Sequence, residues 1–229
     1  MKKLSIKPLM AAMAIAGAAS FAAAPAAHAE ASVTANLGGV TNYVFRGFDQ
    51  TGGLSMQGGI DYQNDMGIYA GIWGSTMGAD QNEYDLYIGW AGKISDFDFG
   101  VGYTAYSYSE EVGDSDFQAF EEVNLSVGVS MLSFNLDLGK DNTGPDELDY
   151  NHYAASLDLD PYITGVSLTY GTTVYENDDF EDGASYFDIA YGTTLDYGLD
   201  FTANLIFSGE NAEDDTYFVV GLSKSFDLM

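Results

Sequence analysis

The sequence contains no cysteine, which removes disulfides and thiolate chemistry from any account of its stability or activity. Histidine is almost as scarce, with His28 in the N-terminal segment and His152 far into the chain. A hydrolase would need a histidine base tied to a serine or a carboxylate, and no motif ties a serine to His152. No enzymatic activity is expected, and His152 reads as a titrating residue at a rim. Basic residues number 7 against 35 acidic ones, and Arg46 is the only arginine. Nucleic acid is therefore not an expected partner, and anionic membrane surfaces would be repelled. Beyond the first thirty residues no apolar run is long enough to cross a membrane as a helix.

The N-terminal segment has the organisation of an export signal. Lys2, Lys3 and Lys7 form a basic start, residues 9–24 an apolar core, and Ala27-His28-Ala29 a small-x-small cleavage site. The expected organisation is a cleaved signal over residues 1–29 and one domain over 30–229. Cleavage leaves four basic residues against 35 acidic ones, a formal charge of −31. Such a charge can signal disorder, but 14% aromatic residues and long alternating runs argue for a folded chain.

What fills the remainder is alternation of period two. Apolar side chains recur at every second position in twelve segments, for example Tyr84, Leu86, Ile88 and Trp90, or Val123, Leu125, Val127 and Val129. The first predicted strand runs from Val33 through Tyr43 and Phe45, which share its apolar face, with Arg46 on the wet one. A Gly-rich turn then leads to a returning strand at Leu54, Met56, Ile60 and Tyr62. Connections alternate between short turns, such as 63–66, 94–96 and 195–198, and longer acidic loops at 76–82, 109–116, 141–149, 176–183 and 209–215. This asymmetry predicts an all-β, up-and-down, antiparallel transmembrane β-barrel of about twelve strands in the bacterial outer membrane.

Aromatic residues on the apolar face fall near strand ends. Phe45, Tyr84, Tyr153, Phe187 and Phe218 are expected at the loop side, and Tyr62, Trp90, Phe97, Tyr191 and Phe226 at the turn side, as two interfacial girdles. The opposite face collects polar residues and glycines, including Gly71, Gly89, Gly139 and Gly171, expected to permit curvature and to leave room inside. A soluble β-sandwich also alternates, but needs neither the loop asymmetry nor the aromatic strand ends.

Several motifs resemble the TorF family of porins, exported proteins of largely unassigned role. They are Asn42-Tyr43-Val44-Phe45-Arg46-Gly47, then Gln57-Gly58-Gly59-Ile60-Asp61-Tyr62, Gly67-Ile68-Tyr69-Ala70-Gly71-Ile72-Trp73 and Glu83-Tyr84-Asp85-Leu86-Tyr87-Ile88-Gly89. The resemblance covers the first third of the mature chain closely and the remainder in pattern only. It implies a barrel and a pore, and it carries no catalytic or ligand residues.

Arg46, Asp61, Glu83, Asp85, Glu122 and Asp188 are the candidate pore-lining residues, with Asp137 and Asp158 on the same face. A guanidinium offers five donors in a fixed fork, so Arg46 can bridge two carboxylates across a narrow lumen or meet passing anions. The expected function is a narrow passive channel for small solutes, preferring cations. A non-conducting structural or adhesive barrel is the alternative. No cofactor is expected beyond weak calcium or magnesium binding at acidic loops such as 141–149, which lack EF-hand spacing. Expected partners are outer-membrane lipid and lipopolysaccharide, the barrel-insertion machinery, and small solutes or cations.

Overall fold

The computed structural model describes residues 31–78, 81–109, 118–144, 148–176, 183–209 and 211–229. The expected signal segment and much of the acidic loops, including residues 145–147 of the expected cation-binding loop, lie outside the described residues.

Twelve strands close on themselves. They are β1 (Ser32–Val40), β4 (Ser55–Gln63), β5 (Ile68–Met77), β6 (Gln81–Ile94), β7 (Phe97–Tyr108), β8 (Phe120–Val129), β9 (Leu132–Asp141), β10 (Leu148–Asp158), β11 (Val166–Tyr175), β12 (Ala184–Leu195), β13 (Leu199–Ser208) and β14 (Thr216–Asp227). Each pairs antiparallel with its neighbour in chain order, and β1 closes the barrel on β14 with Thr34 opposite Asp227. Closure leaves the barrel no free strand edge, so every ladder is hydrogen-bonded on both sides.

The alternation places side chains as expected along most strands. Leu86, Ile88, Phe97, Val101, Phe134 and Leu222 are exposed on the outer surface. Tyr84, Tyr153 and Phe218 stand exposed toward the loop end, with Tyr62, Trp90, Tyr191 and Phe226 toward the turn end. Lys224 shares the outer face and lies 5.8 Å from the Phe226 ring centroid. Two-residue turns such as Ser95-Asp96 and Ser130-Met131 place a serine in the left-handed region, at φ 58° and 57°.

The first strand departs from expectation. It ends at Val40, and residues 41–54 leave the wall instead of continuing it. Within them a small hairpin forms, β2 (Val44–Phe45) against β3 (Phe48–Asp49), with Phe45 opposite Phe48. Tyr43 and Val44 are buried, and the Phe45 ring packs 6.2 Å from that of Tyr106. Tyr43 and Phe45 are therefore interior residues, and Phe45 belongs to no outer girdle. The reason is visible on the wall. Val40, Ile206 and Val219 break the alternation by pointing inward, and they form an apolar cluster with Tyr43 and Val44 against which Phe45, Trp73, Met77, Tyr186 and Tyr217 pack.

The glycines play a different part from the one expected. Four of them, Gly71, Gly89, Gly139 and Gly171, stand directly opposite Tyr87, Tyr69, Tyr150 and Tyr186 on neighbouring strands. A Cβ at Gly139 would lie 2.1 Å from Tyr150 Cζ, and one at Gly89 2.2 Å from the Tyr69 hydroxyl. The rings lie over the glycines, so these positions admit aromatic cover instead of leaving space. Gly139→Ala is expected to destabilise the barrel by about 1–3 kcal/mol through overpacking. Urea unfolding in detergent would measure it, and an unchanged midpoint would place the Tyr150 ring elsewhere.

Candidate functional site

The hairpin turn is Arg46-Gly47, with φ of 52° and 88°. Two central residues in the left-handed region make the tight turn whose twist suits a hairpin, and glycine or asparagine usually occupies both places. An arginine there costs on the order of 1 kcal/mol, so its side chain must recover that elsewhere. Gly47 has no latitude either, since a Cβ would lie 3.1 Å from Tyr186 Cβ and 3.3 Å from Ser208 Oγ. Ser208 donates to the Gly47 carbonyl oxygen at 2.7 Å, pinning the turn to β13.

Arg46 reaches from this turn to the opposite wall. Nη1 donates to Glu122 Oε1 at 2.5 Å, and Nη2 donates to Glu122 Oε2 at 3.1 Å and to Asp137 Oδ2 at 2.8 Å. Glu122 also accepts from the hydroxyls of Tyr106 (2.9 Å) and Tyr150 (2.8 Å) and from Asn124 Nδ2 (3.1 Å). Asn124 Nδ2 also donates to Asp137 Oδ1 at 2.9 Å, while its carbonyl oxygen accepts from Thr104 Oγ1 at 2.8 Å. Glu122 is 1% exposed and the Arg46 side chain 11%. The two-carboxylate bridge expected of Arg46 is formed, but from a folded-in turn and not from a wall position.

The same hairpin is fastened at its base. Thr41 exchanges two hydrogen bonds with Val220, and the Thr51 hydroxyl bonds Asn42, the Tyr43 amide and the Gly53 carbonyl. Asp49 Oδ1 accepts from the amides of Thr51 and Gly52. Residues 41–54 thus form a plug near the loop end, apolar where they meet Val40, Ile206 and Val219, and charged where Arg46 meets Glu122 and Asp137.

The other candidates divide by level. Glu83 and Asp85 on β6 are buried on the inward face, and Glu83 accepts from the Tyr108 hydroxyl at 3.1 Å. Asp188 on β12 accepts from Asn204 at 2.9 Å and does not join the Arg46 group. Asp61 lies near the turn end of β4, where it accepts from Asn36 at 3.2 Å and from the Tyr87 hydroxyl. Asp158, also near the turn end, accepts from the Asp160 amide at 2.8 Å. His152 is not a rim residue. It is buried, paired at 3.0 Å with Thr173 Oγ1 and stacked on Tyr186 with ring centroids 5.9 Å apart. Sequence reasoning missed Asp137 as the second partner of Arg46, and the inner tyrosines Tyr106 and Tyr150 that complete the Glu122 shell. A signal for the plug's seat exists in the triplets Leu205-Ile206-Phe207 and Phe218-Val219-Val220, where apolar residues occupy both faces.

A family model described as a bacterial protein of unknown function, Gcw_chp, matches residues 23–227. The chain belongs to the Gcw_chp family. No curated protein matches the sequence. Among solved structures, a KdgM porin superposes on this Gcw_chp chain with a TM-score of 0.55 at 10% identity, over 84% of this chain and 99% of the porin. A KdgM porin in complex with disordered oligogalacturonate superposes with a TM-score of 0.51, also at 10% identity, over 85% of this chain and 99% of that one. At such identity the likeness is one of fold, a closed barrel similar to that of a porin.

Proposed function

We propose that this protein is an outer-membrane channel of TorF type, a narrow passive route for small solutes that prefers cations. The carrying observation is the interior. Its single arginine is engaged by Glu122 and Asp137, which leaves Glu83, Asp85 and Asp188 without a basic partner among the described residues. A confined passage lined by fixed negative charge concentrates cations and depletes anions. Lys93, the other base in a described ion pair, is half exposed and sits at the turn end against Asp98. An oligogalacturonate, the ligand of the KdgM complex, is a chain of uronic acids. It would meet uncompensated carboxylates here, and that substrate is not carried over.

The export signal, the loop asymmetry and the aromatic ends support a periplasmic placement of both termini, lipid and lipopolysaccharide around the wall, and delivery by the barrel-insertion machinery. Phe226 keeps the outward face that a terminal aromatic would occupy.

The test is the reversal potential across a planar bilayer under a potassium chloride gradient. Cation selectivity at neutral pH is expected, weakening as salt rises because screening shortens the field to about 10 Å at 0.1 M. Anion selectivity would overturn the assigned lining. A second reading, a non-conducting structural or adhesive barrel, is favoured by the closeness of packing beside the plug, where Thr104 and Thr202 have almost no solvent access. Absence of any conductance would decide for it.

A further inference from the structure

Beside the plug lies a second group of buried polar atoms that Arg46 does not serve. Glu83 and Asp85 are two residues apart on β6, so both face inward, about 7 Å apart along the strand. They are 2% and 7% exposed. Asp85 lies within electrostatic reach of Glu83 and of Glu122. Glu83 Oε2 and Asp85 Oδ1 are buried with no hydrogen-bond partner among the described residues. Two adjacent buried carboxylates with open lone pairs are costly unless something positive meets them.

An independent feature points at the same place. Gln57, Ser75, Glu83 and Tyr108 occupy one cross-strand row, each directly opposite the next on β4, β5, β6 and β7. Ser75, the small residue between Gln57 and Glu83 in this row, pairs its hydroxyl with that of Ser55 at 2.7 Å. Gln57 is 6% exposed, and its Nε2 has no partner among the described residues. A buried amide end without a partner is uncommon in a folded protein. A half-turn of the amide would put its carbonyl oxygen where Nε2 stands. Tyr43 of the plug, itself buried, hydrogen-bonds Glu83.

We propose that Glu83, Asp85 and Gln57, with the Ser75 and Tyr108 hydroxyls, bind a divalent cation, calcium, at the base of the plug. The donors are all oxygen, two anionic and the rest neutral, which matches the hardness and the charge of calcium and its tolerance of irregular geometry. Magnesium demands near-ideal octahedral geometry at about 2.0–2.1 Å and sheds water reluctantly, so an enclosed, irregular site disfavours it. The described residues contain no cage of three or more acidic or imidazole ligands. Two carboxylates therefore set a modest affinity, with Kd of about 10⁻⁴ M, in the range of weak extracellular sites. Bound calcium would tie β6 to the plug through Tyr43 and Glu83, so its removal loosens the plug on that side.

The experiment uses full-length protein in detergent, free of lipopolysaccharide and stripped with chelator. Equilibrium dialysis against radioactive calcium in 0.1 M potassium chloride should give one ion per chain. Heat-modification midpoints should rise by about 5–10 °C at a hundred-fold excess of calcium over Kd. Binding should fall at least ten-fold in E83Q/D85N and stay unchanged in D214N, which removes an exposed loop carboxylate. If E83Q/D85N fails to assemble, Q57L keeps both carboxylates and should weaken binding at least three-fold. No uptake by the stripped wild type at 10 mM calcium, equal uptake by E83Q/D85N, or unaltered affinity in Q57L would overturn the site. Dialysis reads no current, so its outcome is independent of whether the barrel conducts.

Discussion

Replacing Arg46 with glutamine is expected to destabilise the barrel by about 3–5 kcal/mol, the cost of leaving buried carboxylates without their cation. Glu122 would keep the Tyr106, Tyr150 and Asn124 donors but lose both guanidinium bonds, and Asp137 would keep Asn124 alone. The pair is more than a surface ion pair because Glu122 has almost no solvent access and the bridge is charge-assisted at three points. Urea unfolding in detergent, followed by tryptophan fluorescence, measures the effect. E122Q should cost a similar amount. R46Q/E122Q should cost less than the two together, because each single change already breaks the shared bonds. Arg46→Leu should also destabilise, since the side chain lies inside; a stabilising leucine would place it against lipid. A loss for R46Q within about 0.5 kcal/mol, the range of ordinary surface changes, would show that the network does not hold the plug.

Much of the barrel was legible because its physics is local. Alternation along 84–90 or 123–129 follows from one wet and one lipid-facing side, and apolar residues at every second position cannot line one face of a helix. Arg46 was legible as an interior cation because alternation set it on the wet face, opposite that of Tyr43 and Phe45. Its position was not. Val33 to Phe45 keeps period two across residue 41, so the pattern reads as one strand although the wall ends at Val40. The decisive feature is Phe45-Arg46-Gly47-Phe48, a two-residue hairpin turn with arginine where asparagine or aspartate would announce it. Local propensity is overridden there by Glu122 and Asp137, more than seventy residues away. Such long-range compensation leaves no mark on the local sequence. The tyrosines over glycines were hidden for a related reason. Gly139 and Tyr150 each look unremarkable alone, and only the register that sets them opposite gives them meaning.

Removing the plug should have the largest effect on passage. Val40 stands opposite Ser55, so residues 41–54 can be replaced by Asn-Gly, a turn that joins two such strands directly. The wall keeps all twelve strands, and heat-modifiable migration in detergent should persist. The interior changes in two ways. Tyr43, Val44 and Phe45 no longer fill the loop end, which exposes Val40, Ile206 and Val219 and costs on the order of 5 kcal/mol in lost apolar burial. Glu122 and Asp137 lose Arg46 but gain water, so their charges face an open passage. Barrels of about eight strands are filled by side chains and those of sixteen carry open channels, so twelve strands without an insert should leave a continuous aqueous path. Single-channel conductance should therefore rise several-fold above the full-length protein, and the reversal potential should move further toward that of potassium. Conductance equal to that of the full-length chain, in a variant that still shows heat-modifiable migration, would mean that residues 41–54 are not the constriction. The narrow point would then lie with the inner tyrosines, and Tyr150→Ala or Tyr106→Ala should widen it.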